Sequence, residues 1–162
     1  MNIIDSIVRK LSKWADVLAG LAVFSIMALI IANIILKKIF KSPILGTFEY
    51  VGFLTSIAVS MGLAYCAYKD FHIAIGLFVD KLSEKKQAVV KIITNSFILT
   101  LLSLFSAHII RYAARIALSG EVSPTTQTPI HYFIYIAGIG IALLCLVILM
   151  QLVKTLLKVV HK

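Results

Sequence analysis

Charge is scarce in this sequence. Only 14% of its 162 residues are Asp, Glu, Lys or Arg, and just seven are acidic. Cysteine is scarcer still: Cys66 and Cys145 stand far apart, each inside an apolar run and without a CxxC spacing. That excludes a disulfide framework or a thiolate metal site and leaves both as small packing residues. There is no glycine-rich phosphate loop, no hydrolase triad and no zinc cluster. Asp5, Asp16, Asp70, Asp80, Glu84 and Glu121 lie at the ends of apolar stretches or between them. No catalytic residue, metal site or cofactor is expected, and the chain does not read as an enzyme. With 60% hydrophobic residues and a mean hydropathy of +1.01, it also lacks the polar surface that a globule of this size needs in water.

What is present is hydrophobic length. Four stretches, at about 15–36, 47–68, 92–118 and 130–153, each reach the ~20 residues an α-helix needs to cross ~30 Å of hydrocarbon. The expected fold is an all-α membrane protein of four transmembrane helices, forming a single domain over 1–162. Nothing is left over for a soluble catalytic domain. The first stretch is longer than a signal-peptide core, and Ile35-Leu36-Lys37-Lys38 offers no small-residue cleavage pattern, so it is expected to remain as a helix.

The net charge of +9 could suggest nucleic acid, but the basic residues cluster at the ends of the apolar stretches. That placement points to membrane lipids with anionic headgroups and to control of topology. With the N-terminus inside, 11 basic residues fall on the cytoplasmic side and five on the other. Both termini are therefore expected in the cytoplasm.

Small residues mark several helix faces. Gly52, Ser56, Ser60 and Ala64 recur every four residues in span 2, and Ser96, Thr100, Ser103 and Ala107 form a similar row in span 3. Such rows let another backbone approach closely, within the chain or on a partner. In the connection after span 2, Phe71, Ile75, Phe78 and Leu82 share one helical face. A short amphipathic helix over about 71–82, lying in the headgroup plane, is expected there. Ser83 is placed to cap the next helix. From there to Leu118 no proline or glycine interrupts the chain, and Gly120 is placed to end that long helix. Pro124 and Pro129 then shape the loop into span 4.

Two polar residues stand out. Glu49 opens span 2, where a carboxylate must be paired, hydrated or at the aqueous boundary. It could be a proton or sodium site, the partner of a basic residue here or on another subunit, or simply a boundary residue. His108 lies mid-span, but His72, His131 and His161 sit at span ends or outside, so a bis-histidine haem has no second ligand at matching depth. His108 is expected to be a hydrogen-bonded interior histidine. The overall reading is a non-enzymatic membrane subunit that works against a larger partner. Its candidate contact face comprises Glu49, Gly52, Ser56, Ser60 and Ala64.

The order of these features resembles the small membrane subunit of tripartite ATP-independent periplasmic (TRAP) transporters, the DctQ-like family. The resemblance rests on Glu49 opening span 2, Gly62-Leu63-Ala64, Lys69-Asp70, His72-Ile73 and Leu82-Ser83-Glu84-Lys85-Lys86, followed by the proline-bearing loop and the apolar span 4. Where the family often carries charges after the His-Ile pair, this chain has Ala74, Ile75 and Gly76, which favours a membrane-lying helix there. The resemblance adds His72 to the partner-interface candidates. It implies an inner-membrane scaffold subunit in sodium-driven uptake of an organic anion: a C4-dicarboxylate, keto acid or sialic acid. The implied partners are a large, elevator-type, sodium-coupled membrane subunit and a periplasmic substrate-binding protein. Two other classes stay open on the sequence, a membrane anchor of a quinone-linked oxidoreductase and a small self-contained exporter.

Overall fold

The computed structural model describes residues 2–69 and 84–160, with side chains for 5–69 and 87–157. These form four helices: α1 (Asn2–Ile39), α2 (Thr47–Tyr68), α3 (Glu84–Ser119) and α4 (His131–Val160). All four are long and apolar enough to cross a membrane. No strand occurs among the described residues, only an isolated bridge between Val122 and Pro129. The expected interfacial helix, with Phe71, Ile75, Phe78 and Leu82, lies outside the described residues, as do His72 and Ser83.

The helices stand in a row, in the order α1, α2, α4, α3. Contacts are extensive between each helix and the next in that row, while α1 and α4 touch at only a few places. The two connections 40–46 and 120–130 share one end, here called the connection end. The start of α1 and the end of α4 share the other, the terminal end. Chain direction alternates, so α2 and α4 run parallel and in register. Phe53 stacks on Phe133 with ring centroids 4.2 Å apart. One to two turns on, Gly140 meets the Ser60 backbone, and a Cβ there would lie 2.8 Å from the Ser60 carbonyl. Farther still, Gln151 Nε2 donates to the Ala67 carbonyl at 2.6 Å. That bond satisfies one of the carbonyls left without an intrahelical partner at the end of α2.

Helix α1 starts well before the expected residue 15. Hydropathy falls at Arg9, Lys10 and Lys13, but helix formation does not stop at charges that can reach water on one side. The buried face of α1 runs through Val8, Ser12, Ala15, Ala19 and Ala22. Those spacings of four, three, four and three are the 3.5-residue repeat of a helix that keeps one seam against its neighbour. Ala15 and Ala19 pack with Met61 of α2, and Val8 reaches a cluster that includes Ala64, Ala67 and Val147. At the terminal end Lys154 Nζ closes on Asp5 Oδ1 at 2.6 Å, tying α4 to α1. Seams of small side chains suit a bilayer, where lipid tails give helices no hydrophobic reason to associate and close packing must supply the attraction.

Helix α3 packs chiefly on α4. The Ser106 hydroxyl donates to the Gly138 carbonyl at 3.4 Å, and Ile109 and Ile110 fill the space over Gly138. Gly120, at φ +70°, ends the helix and its N–H reaches back to the Ile116 carbonyl. A left-handed residue at that position is the usual helix stop, and only glycine adopts it without a Cβ penalty.

Candidate functional site: a carboxylate latch at the connection end

The connection between α3 and α4 folds back on itself. The Ser123 N–H donates to the Thr128 carbonyl at 2.9 Å, and the Gln127 N–H to the Ser123 carbonyl at 3.0 Å. Gln127 takes a left-handed conformation at φ +53°. Its neighbours' amide groups then face the same side, forming a small concave nest of N–H donors.

Glu49 fills that nest. Its Oε1 accepts the Thr125 N–H at 3.0 Å, while Oε2 accepts the Thr126 N–H at 3.1 Å and the Thr126 hydroxyl at 3.0 Å. Ser123, in the same turn, is only 1% exposed. A carboxylate suits the place because it offers acceptors only, here facing donors only. Glu49 also lies in the first turn of α2, where the helix dipole favours negative charge.

The approach to α2 is built for the same contact. The Ile44 N–H is held by Asn33 Oδ1 of α1 at 2.8 Å, and the Thr47 hydroxyl donates to the Ile44 carbonyl. Gly46, at φ +76°, turns the chain into α2, and any Cβ there would collide with Thr126 Cγ2. Both the backbone angle and the space require glycine. One latch thus joins α1, the α1–α2 connection, α2 and the α3–α4 connection.

The structure disperses the other candidates from the sequence. Ser60 and Ala64 are buried against α4 and the terminal-end cluster, so that part of the row serves packing within the chain. Ser56 is half-buried, with its hydroxyl returned to the Phe53 carbonyl. Gly52 is exposed, with open space where a Cβ would stand. Sequence reasoning missed the latch donors, since two of them are backbone N–H groups common to nearly every residue. His108 is exposed, not interior: it points away from α4 because the α4-facing side of α3 is taken by Ser106, Ala113 and Ile116. The row Ser96, Thr100, Ser103 and Ala107 is likewise exposed.

The sequence model of one protein family, described as tripartite ATP-independent periplasmic transporters, DctQ component, matches residues 26–158. No curated protein and no solved structure matches the chain.

Proposed function

Because the chain belongs to the DctQ family, the small membrane component of tripartite ATP-independent periplasmic transporters, we propose that it is the static scaffold of a sodium-driven uptake system for an organic anion. Members of this family work with a large membrane subunit and a periplasmic binding protein. The carried anion is of the C4-dicarboxylate, keto acid or sialic acid class. The large subunit holds substrate and sodium in an elevator-type moving part, and this chain anchors it in the inner membrane with the terminal end in the cytoplasm. The connection end then faces the periplasm, where the latched 120–130 loop offers a fixed surface beside the binding protein.

The observation that carries this reading is the occupied carboxylate. Glu49 is the acidic residue best placed to take part in ion coupling, and its acceptors are engaged by the chain's own loop. That makes it a tie between helices, as a scaffold needs. The test is reconstitution in proteoliposomes with a sodium gradient and labelled substrate. Uptake is expected only with the large subunit, the binding protein and this chain together. Sodium-driven uptake by this chain alone would show a carrier in its own right.

A further inference from the structure

On the side of α3 turned away from α4, Leu104, His108, Arg111 and Arg115 fall within about 60° of one another at 100° per residue. Leu104, Phe105, Ala107, His108 and Arg111 line a shallow, open groove on the surface of this one helix. Arg115 rests its guanidinium over the Tyr112 ring, 5.7 Å from the centroid. The ion pair recorded among the described side chains is Asp5–Lys154, at the opposite end of the molecule, so both guanidinium groups lack an acidic partner among them.

Depth comes from the charge pattern of α3. Between Lys91 and Arg111 lie 19 residues without charge, which span ~29 Å of helix. That matches the ~30 Å hydrocarbon core. Arg111 and Arg115 therefore stand at the headgroup level of the leaflet at the connection end. His108 is about a turn deeper, and the apolar wall of Leu104, Phe105 and Ala107 lies in the acyl region. Reading down this face of α3, two cations come first, then a hydrogen-bonding ring, then an apolar surface. A phospholipid presents its parts in the same order.

We propose that this face of α3 is a binding site for one anionic phospholipid. The phosphodiester lies between Arg111 and Arg115, His108 donates to its glycerol-ester oxygens, and an acyl chain fills the groove beside Leu104 and Phe105. Guanidinium forks match phosphate oxygens bidentately, which a single lysine does not.

The test uses the full chain purified in a non-ionic detergent. Palmitoyl-oleoyl phosphatidylglycerol, or phosphatidylcholine with the same chains, is titrated and bound lipid counted by native mass spectrometry. The expected result is one tightly held phosphatidylglycerol, favoured over phosphatidylcholine at least tenfold. Arg111→Gln with Arg115→Gln should abolish that preference, whereas Lys37→Gln with Lys38→Gln should keep it. Equal binding of the two lipids by the unaltered chain overturns the proposal whatever the variants do, as does undiminished preference in the double arginine variant. Should a cysteine at Ala107 cross-link efficiently to the large subunit in the assembled complex, the occupant is protein and the lipid site is excluded.

Discussion

Glu49 accepts from two backbone amides and the Thr126 hydroxyl, so its removal leaves three donors without a partner. Glu49→Gln keeps the shape but sets an amide N–H₂ against donors. Hydrogen bonds to a charged acceptor are stronger than neutral ones, and some are regained by rotation or water. A loss of stability is expected, read as a lower Tm in detergent and faster proteolysis within 120–130. Sodium stoichiometry of the assembled transporter should not change. Gly46→Ala should be at least as damaging, because Cβ meets Thr126 Cγ2 and φ is positive. Thr126→Ser removes that methyl while keeping the hydroxyl, so the double variant should recover part of the lost Tm. An additive result would mean that the backbone angle alone sets the cost. The sequence marked Glu49 as a residue needing an explanation, because a carboxylate beside hydrocarbon is costly. It could not name the partner, since backbone donors become a site only through the loop's conformation.

Apolar runs made each element legible, and charged residues hid where some of them begin and end. The limits of α2 match the apolar stretch that marks it, and Gly120 ends α3 as its position implied. The first thirteen residues of α1 escaped because their charges interrupt the apolar run, although Val8 and Ser12 continue the alanine seam. The seam was in the sequence as a four-three spacing of small residues, masked by the larger apolar side chains that face outward. Small-residue rows also cannot reveal which of two faces they meet, and here Ser60 meets Gly140. Gly140→Leu should therefore separate α2 from α4 and lower Tm sharply. Gly52→Leu, with open space around it, should leave the Tm of the isolated chain almost unchanged. If Gly52→Leu then prevents co-purification with the large subunit, that position marks the partner's path. Equal Tm losses in the two variants would contradict the packing described for α2.

At the scale of the whole molecule, the number of spans was legible and their arrangement was not. Apolar length counts helices, but nothing in the charge or spacing of α3 says that it sits beside α4 and not α2. The orientation expected from the basic residues, with both termini in the cytoplasm, can be checked directly. In a background without Cys66 and Cys145, cysteines at Ser42 and Thr125, both exposed at the connection end, should react with an impermeant reagent in intact spheroplasts. One at Lys10 should not. Ser123, almost fully buried, would give a false negative. The reverse labelling pattern would place the latch in the cytoplasm.

The latch also has a history during synthesis. Glu49 and its donors are 76 and 77 residues apart along the chain. At about 5–20 residues per second, the ribosome delivers Thr125 and Thr126 roughly 4–15 seconds after Glu49 has been made. For that interval the carboxylate lacks the loop that satisfies it, and a charge beside hydrocarbon is costly without water or another partner. The late arrival of the loop ends that cost, so the tie between the helices can close only after three of the four have been made.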